Sequence, residues 1–341
     1  MDNAGSHETH RHGIAVEGLP PSRTRRRFAA TAKAGASEFP PGWSYHGIGF
    51  LGYDMSDVAS KSEQLIGHVR SLGSCLVAFS AGVDSTVVAK AAQLALGDRA
   101  VAVTGTSPSL AGGELEEARS LAERIGIRHV VVSTHEFVNP NYTRNAADRC
   151  YHCKTDLYSH LSRLAAEWGM AFVVNGANAD DAGDYRPGER ASAEHQVRSP
   201  LAECGFGKQD VRALAAHWQL PVWNKPASPC LASRIAYGEE VTPERLAMVD
   251  LAEQYLRQLG LREVRVRYHR GDLARIEVPP SALAALCAPE SRQSLVRAFR
   301  ALGFKFVSVD LEGFRSGSLN EIIPLESRVA RIPATKADGD G

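Results

Sequence analysis

The chain has 341 residues, of which 44% are hydrophobic and 23% are charged, the composition of a globular protein with a buried core. Its 39 basic residues balance its 39 acidic residues, which argues against a broad nucleic-acid-binding surface. No apolar segment approaches the roughly 18 residues that a membrane span requires, so neither a nucleic acid nor a membrane is an expected partner.

Residues 1–55 are predicted to be a disordered extension, because they are rich in Arg, His, Gly, Pro and Ser and show no sustained period. Two motifs in this extension are interpreted as coincidental. The stretch "TRRRFAATAKAGA" resembles a twin-arginine export signal but no apolar core follows it. The stretch "GIGFLG" fits the dinucleotide-binding pattern but lacks the strand before it and the helix directly after it.

From Ser56 onward, short apolar segments alternate with segments of helical spacing. In chain order the predicted elements are a helix in "DVASKSEQLIGHVRSL", a strand in "SCLVAFS", a helix in "DSTVVAKAAQLALG", a strand in "AVAVTGT", a helix in "GGELEEARSLAERIGI", a strand in "RHVVVST", a helix in "KTDLYSHLSRLAAEWG" and a strand in "AFVVNGAN". This alternation predicts an α/β fold with a parallel sheet covered on both faces. Four loops, including "SAGVDST" and "NGANADDAGDYRPG", then meet at the carboxyl edge of the sheet, where ligands bind in such folds.

A second, smaller α+β domain is predicted for residues 236–327, after a first domain over residues 56–235. Its elements are strands in "REVRVRYH" and "LARIEV", helices in "SALAALC" and "SRQSLVRAFRALG", and a closing strand in "FKFVSVDL". Residues 328–341 are predicted to be a disordered tail.

The loop from Ser80 to Thr86 has the composition of a phosphate-binding loop. It resembles the PP-loop, S-G-G-x-D-S, of the N-type ATP pyrophosphatases, which cleave ATP between the α and β phosphates, and it lacks the G-K-[ST] ending of a Walker A motif. Gly82 permits a positive φ, and the backbone N–H groups at the following helix N-terminus point at an anion. Ser80, Ser85 and Thr86 can add hydroxyl donors.

Two residues of this loop need separate comment. The resemblance implies that Asp84 binds pyrophosphate or its magnesium ion. Ala81 stands where the motif has a glycine, which costs about 1 kcal/mol if the position requires left-handed geometry and nothing if it does not. The alternative interpretation of the loop is an ordinary strand-to-helix turn capped by Asp84 or Ser85.

Six cysteines are present, and a chain of this length without a secretory signal is not expected to form a disulfide framework. Reduced thiols favour the cytoplasm. Cys150 and Cys153 form a C-x-x-C pair before a predicted helix, and Cys230 lies in "ASPCLASR". From spacing alone these three could hold an iron–sulfur cluster, form part of a zinc site with His152 or His160, act as a redox pair or be buried thiols.

The chain as a whole resembles the LarE family over roughly residues 56–327. The motifs that carry the resemblance are "FSAGVDST", "DRCYHCK", "NGANADDAGDYRPG", "SPL", "PASPCLASRIAYG", "VRVRYH" with "ARIEV", and "RSGSLNE". LarE proteins are ATP-dependent sulfur transferases that adenylate a pyridinium carboxylate mononucleotide and convert it to a thiocarboxylate, for the nickel-pincer nucleotide of lactate racemase. The resemblance implies an adenine nucleotide alpha hydrolase-like (PP-loop) fold, ATP and Mg²⁺ as cofactors, and a homo-oligomer.

The resemblance also implies a source of sulfur. Some LarE members sacrifice the sulfur of the cysteine at the Cys230 position, whereas others carry three cysteines that bind a 4Fe–4S cluster with an open iron. This chain has all three, Cys150, Cys153 and Cys230, and so resembles the cluster-bearing branch. The sequence does not identify the sulfide donor.

The remaining site predictions follow the chemistry of an anionic substrate. The predicted ATP and magnesium ligands are Ser80, Gly82, Asp84, Ser85 and Thr86, and the predicted substrate ligands are Lys154, Asn178, Asp180, Asp181, Arg186, Ser233, Arg234, Glu253, Arg265 and Arg267. The acids after the fourth strand could instead stabilise a turn, and Arg265 and Arg267, on one strand face, could instead form a solvated face.

Three other functions share parts of this pattern. A tRNA thiolase combines a PP-loop with three cysteines but needs a basic RNA-binding face, which a balanced charge does not favour. An amide-forming ligase of the NAD- or GMP-synthetase type would leave the three cysteines unused. A non-catalytic adenine-nucleotide-binding protein with a structural zinc is the third alternative.

Overall fold

The computed structural model describes residues 55–181, 187–226 and 228–315. The predicted extension, Arg186, the tail and most of "RSGSLNE" lie outside these residues. Within the described ranges no helix is both long and apolar enough to cross a membrane.

A four-stranded parallel sheet forms the centre of the first part of the chain. Its strands are β1 (Cys75–Ala78), β2 (Ala100–Thr106), β3 (Arg128–Ser133) and β4 (Phe172–Val174), in the order β3-β2-β1-β4. All three strand pairs are parallel, with Val77 of β1 paired to Ala102 on one side and to Val174 on the other. The predicted α/β fold is therefore confirmed, and the loops after all four strands lie at one edge of the sheet.

Helices cover both faces of this sheet. They are α1 (Met55–Ser71), α2 (Val83–Leu96), α3 (Glu114–Ile125), α4 (Pro140–Thr143), α5 (Arg149–Trp168), α6 (Pro187–Glu194), α7 (Pro200–Glu203) and α8 (Lys208–His217). Helix α5 begins five residues earlier than the pattern predicts and so includes both cysteines of the C-x-x-C pair. Helices α6, α7 and α8 have no counterpart among the predicted elements.

Strand β1 is buried on both faces, because its side chains alternate between two apolar cores. Cys75 and Val77 pack with residues of α1, α2 and α8, whereas Leu76 and Ala78 pack with residues of α5. A strand buried in this way holds the loop that follows it in a fixed position, since any shift would disturb both cores.

A smaller three-stranded sheet follows in the C-terminal part. Strand β5 (Arg265–His269) pairs antiparallel with β6 (Leu273–Glu277), which pairs parallel with β7 (Phe306–Val309). The accompanying helices are α9 (Pro243–Gln258), α10 (Leu283–Cys287) and α11 (Pro289–Ala301). Buried residues such as Val266, Ile276 and Phe299 form most of its core, which Tyr142 of α4 also joins.

Candidate active site

The backbone of the loop after β1 corrects one sequence prediction. Gly82 has φ −76° and ψ 165°, an extended conformation open to any residue, so the prediction that it supplies a positive φ is wrong. The left-handed residue is Ala81, with φ 56°. Its methyl group is 1% exposed and belongs to the apolar core beneath the loop. The loop therefore bears the cost of a non-glycine residue in left-handed geometry, about 1–2 kcal/mol.

The hydroxyl groups of the loop divide into two sets. Ser85 Oγ donates to the carbonyl oxygen of Gly82 (3.2 Å) and lies 3.1 Å from Ser80 Oγ, and both serines line a cavity. Thr86 is 0% exposed, and its Oγ1 has no hydrogen-bond partner among the described residues. Of the three hydroxyl residues of this loop, Ser80 and Ser85 line the cavity, whereas Thr86 is buried away from it.

Two carboxylates interact electrostatically beside the N-terminus of α2: Asp84, in the first turn of α2, and Asp181, in the segment after β4. Asp84 Oδ1 accepts a hydrogen bond from Asn178 Nδ2 (3.1 Å), and Asp181 lines the same cavity. Burial raises the pKa of Asp84, an effect that the Asn178 bond opposes and the neighbouring Asp181 adds to. A divalent cation between two such carboxylates would relieve their repulsion.

The neighbouring Asp180 has a different role from Asp181. Its Oδ2 accepts a hydrogen bond from the backbone N–H of Lys208 (2.7 Å), at the first residue of α8. Carboxylates at helix N-termini satisfy free N–H groups there. Asn178 Oδ1 in turn accepts from the Asp180 N–H (3.1 Å), which is the Asx hydrogen bond of a turn. The structure thus gives Asp180 a capping role and leaves Asp181 facing the cavity.

The cavity has a volume of about 390 Å³ and opens at the carboxyl edge of the sheet. It is lined by residues of all four loops, among them Ser80, Gly82, Asp84, Ser85, Ser107, Ser109, Glu136, Cys153, Lys154, Gly176 and Asp181. Gly176 is required by close packing, because a Cβ there would lie 2.7 Å from the backbone nitrogen of Ser85. The phosphate loop and Cys153 therefore share one continuous space.

Of the three cysteines of the predicted sulfur site, Cys153 lines this cavity, and Cys150 and Cys230 are close enough to interact electrostatically with it. Cys150 and Cys153 occupy the first two turns of α5, and Cys230 directly precedes the short helical turn Leu231–Arg234. Cys150 and Cys230 are exposed, whereas Cys153 is partly buried. Burial raises the pKa of the Cys153 thiol, and the nearby Cys230 adds to this effect. The sulfurs are thus electrostatic neighbours, although the described residues contain no group of three or more Cys, His, Asp or Glu already arranged around a single metal ion.

Hydrogen bonds hold the Cys230 segment against the first sheet. The N–H of Leu231 donates to the carbonyl of Ser109 in the loop after β2 (3.0 Å). The buried Arg149, which precedes Cys150, donates to the carbonyl of Ala232 (2.7 Å). The backbone of this segment is therefore fixed relative to the C-x-x-C pair.

Two predicted substrate ligands, Arg234 and Glu253, form an ion pair with each other. Arg234 is 1% exposed, and its Nε lies 3.0 Å from Oε1 of the fully buried Glu253. Arg234 Nη1 also donates to the carbonyl of Cys230 and to Ser233 Oγ, both at 3.1 Å. With these partners, Arg234 positions the Cys230 segment and does not present a free guanidinium to a ligand, and Ser233 is part of the same network.

Arg265 and Arg267 lie on one face of β5, as predicted, but differ in their partners. Arg267 forms an ion pair with the buried Glu277 (2.9 Å) and donates to the carbonyl of Ser233 (3.1 Å). Arg265 donates to the carbonyl of Val264 (2.8 Å). Burial lowers the pKa of Arg265 to about 10, and the nearby charge of Arg234 adds to this effect. Glu277 is a charge partner that the sequence pattern did not identify, because it comes from the neighbouring strand.

Lys154 lies in the cavity wall directly after Cys153. Its Nζ lies 5.5 Å from the centre of the Tyr158 ring. Tyr158 raises the pKa of Lys154, burial opposes this effect, and the thiols of Cys153 and Cys150 add to it. A lysine kept charged at the sulfur end of the cavity is suited to an anionic substrate group.

Lys225 also contacts the phosphate loop and is not among the predicted site residues. Its Nζ donates to the carbonyl of Ala81 (3.3 Å) and pairs with Glu117 of α3 (2.7 Å). Arg212 of α8 fixes the backbone here by donating to the carbonyls of Trp223 (2.8 Å) and Lys225 (3.0 Å). A lone lysine in "NKPASP" carries no periodic signal by which the sequence could identify it.

No protein-family model matches the chain. An uncharacterized protein of Synechocystis sp. is 48% identical over 264 residues, which are 77% of this chain and 98% of that protein. The pyridinium-3,5-bisthiocarboxylic acid mononucleotide synthase of Lactiplantibacillus plantarum is 40% identical over 271 residues, 79% of this chain and 97% of that protein. The tRNA-specific 2-thiouridylase MnmA of Azorhizobium caulinodans is 30% identical over 212 residues, 50% of this chain and 53% of that protein.

The parallel sheet, the loop after β1 and these relatives define an enzyme of the PP-loop class, for which ATP and Mg²⁺ are the expected cofactors. Within that class the chain belongs to the LarE family, the family of the Lactiplantibacillus plantarum synthase, and is an ATP-dependent sulfurtransferase. The predicted family and enzyme class are confirmed. The tRNA-thiolase alternative corresponds to relatives of lower identity, 28% to 30%, than the 40% of the synthase.

Proposed function

We propose that the chain adenylates the carboxylates of a pyridinium dicarboxylate mononucleotide and converts them to thiocarboxylates, for biosynthesis of the nickel-pincer nucleotide. The observation that carries this proposal is the single cavity of about 390 Å³ that joins the phosphate loop to Cys153 and Lys154. An activated acyl group formed at one end can meet a sulfur nucleophile at the other without leaving the protein.

The proposed reaction has two balanced steps. A carboxylate oxygen of the substrate attacks the α phosphorus of ATP, the bond to the β phosphate breaks, and pyrophosphate leaves. A sulfur nucleophile then attacks the acyl carbon of the adenylate, AMP leaves with the original oxygen, and a thiocarboxylate remains. The first step develops negative charge on pyrophosphate, which backbone N–H groups and a divalent cation stabilise.

The residues after β1 and β4 are assigned to the nucleotide. Ser80, Gly82 and Ser85 line the cavity at the N-terminus of α2, where free N–H groups favour anions. Asp84 and Asp181 would hold the magnesium ion of ATP, since two carboxylates of different loops face one space there. Thr86 lies beneath the loop and is assigned to its support.

Cys150, Cys153 and Cys230 would together hold a 4Fe–4S cluster. Three thiols that interact electrostatically, one of them in the cavity wall, form a donor set that suits such a cluster, and the buried guanidinium of Arg149 near Cys230 and Cys150 offsets thiolate charge. When bound, the cluster would supply transferable sulfide through an iron that no cysteine ligates. The alternative within the same family is sacrifice of the Cys230 sulfur.

Anaerobic reconstitution and product analysis test the proposal. With ATP, Mg²⁺, sulfide and a pyridinium dicarboxylate mononucleotide, the protein is expected to release pyrophosphate and AMP and to form thiocarboxylate, detected by mass spectrometry. The absence of substrate-dependent pyrophosphate release from the loaded protein would refute the proposed activity.

Two serine variants separate the sulfur sources. Cys150→Ser is expected to abolish visible cluster absorption and repeated turnover, because a cluster needs all three thiols. Under Cys230 sacrifice, Cys150→Ser would instead keep one full turnover and lose sulfur from Cys230. Cys287→Ser is the matched control, since Cys287 is also exposed but lies in α10, in the C-terminal core region.

The setting of the reaction follows from the same features. All six cysteines are free thiols in the structure, which fits a reducing cytoplasm. The balanced charge of the chain supports a small-molecule substrate and not a nucleic acid. A homo-oligomer, implied by the family resemblance, is part of the proposal.

A further inference from the structure

Glu136 is a buried carboxylate in the wall of the active-site cavity. It begins the short helical turn Glu136–Val138 after β3 and is 2% exposed. Its Oε1 accepts a hydrogen bond from the hydroxyl of Ser107, in the loop after β2. Its Oε2 is buried and has no hydrogen-bond partner among the described residues. Buried carboxylate oxygens are rarely left in this state unless a ligand completes them.

The surroundings of Glu136 do not neutralise its charge. Within the described part of the chain no lysine, arginine or histidine forms an ion pair with it. Its nearest titratable neighbours include Tyr142 and Cys153, and the charge of Glu136 contributes to the raised pKa of the Cys153 thiol. Lys154 lines the same cavity but forms no ion pair with Glu136 among the described residues, so a cation entering the cavity would gain by pairing with Glu136 Oε2.

We propose that Glu136 recognises the positive charge of the pyridinium ring and so sets the specificity of the cavity for cationic-ring nucleotides. The inference rests on the proposed function, which brings a pyridinium substrate into this cavity. The carboxylates and phosphate of that substrate are anionic and suit the proposed Mg²⁺ site and Lys154. Its ring nitrogen carries the one positive charge, and Glu136 is a cavity carboxylate that is buried, whereas Glu189 in the same wall is exposed.

A role for Glu136 as general base is less well supported. The substrate carboxylate is already ionised at neutral pH, so its attack on the α phosphorus needs no proton acceptor. No hydrogen bond joins Glu136 to a cysteine among the described residues. Recognition of a positive charge needs only the buried Oε2 of Glu136, and no proton is transferred.

The test compares two ligands that differ in ring charge. Nicotinamide mononucleotide has a cationic pyridinium ring, whereas its reduced 1,4-dihydropyridine form has a neutral ring and the same ribose phosphate. The unsubstituted protein is expected to bind the oxidised form at least roughly tenfold more tightly by calorimetry, equivalent to about 1.4 kcal/mol. In Glu136→Gln, which keeps the shape of the side chain and its bond to Ser107, the preference is expected to fall below about twofold.

The control is Glu189→Gln, which removes an exposed carboxylate from the wall of the same cavity and is expected to keep the preference. Equal binding of the two forms by the unsubstituted protein would overturn the role of Glu136 and leave the proposed function standing, and this comparison needs no variant. Binding of neither form would overturn the inference alone, because the proposed function concerns a dicarboxylate substrate and is tested separately by pyrophosphate release. Loss of ATP binding in Glu136→Gln would show a structural role and would also overturn the inference.

Discussion

Replacing Ala81 with glycine is expected to leave the affinity for ATP unchanged, although it restores the glycine of the PP-loop motif. The methyl group of Ala81 points into the core and is 1% exposed. The residue is absent from the cavity wall, whereas its neighbour Gly82 lines it. Removing this methyl group therefore creates no additional room for a phosphate.

The expected change in stability is also small, because three terms nearly cancel. Glycine relieves the left-handed strain at φ 56°, worth about 1–2 kcal/mol. It loses the burial of one methyl group, about 0.8 kcal/mol. It also adds conformational entropy to the unfolded chain, which costs about 0.4–1 kcal/mol. The net change in the free energy of unfolding is expected to lie within about 1 kcal/mol of zero.

Urea unfolding and calorimetric titration with a non-hydrolysable ATP analogue measure both quantities. The matched variant is Gly82→Ala, whose φ of −76° accepts alanine and whose added Cβ would lie 3.4 Å from Ser80 Oγ, an ordinary contact. It is expected to fold normally and to bind the analogue at least roughly tenfold more weakly, since its methyl group enters the cavity. A tenfold gain in affinity for Ala81→Gly would refute the reasoning.

Three further outcomes are expected. Lys225→Met removes the ammonium that holds the Ala81 carbonyl and should weaken binding of the same analogue roughly three- to tenfold, as expected for one hydrogen bond; unchanged binding would argue against a positioning role. Burial raises the pKa of Asp84, so its ionised form destabilises the folded state above that raised pKa. Asp84→Asn should therefore be more resistant to urea than the parent at pH 7. The difference should vanish as the pH falls below the pKa of Asp84 in the unfolded chain, near 3.8. The same variant should lose Mg²⁺-dependent pyrophosphate release. Arg234→Met leaves Glu253 buried with fewer partners and should lower the free energy of unfolding by about 3 kcal/mol, measured by urea denaturation; a loss below about 1 kcal/mol would show that Arg257 suffices as its partner.

The parallel sheet and the phosphate loop could be predicted because their signals are local. Each strand is a short apolar segment, and "SAGVDST" combines serine, glycine and acid within seven residues. The conformation within the loop could not be predicted, since a letter pattern does not reveal which of Ala81 and Gly82 is left-handed. That choice depends on the core into which the Ala81 methyl group packs.

Roles that depend on distant partners were also beyond the sequence. Asp180 and Asp181 are adjacent in the chain, yet Asp180 caps α8 and Asp181 lines the cavity. The difference depends on the position of α8 in the folded chain, which the sequence pattern does not reveal. Arg234 has the residue type of an anion ligand, but its counter-charge, Glu253, lies 19 residues further along. Glu136 is a single acid without a motif, and only its burial beside Ser107 distinguishes it.

The hydrogen bonds around the Cys230 segment have a consequence for the order of folding. Arg149 and Ala232 are 83 residues apart in the chain, and Lys225 and Ala81 are 144 apart. Contacts over such separations form only after the entropy of closing long loops has been overcome. The phosphate loop depends on them, because the Ala81 methyl group packs into a core that includes Leu214 of α8 and Lys225 holds the Ala81 carbonyl. During synthesis on the ribosome, the phosphate loop therefore takes its final form only once the chain has been made as far as Lys225, shortly before Cys230 itself.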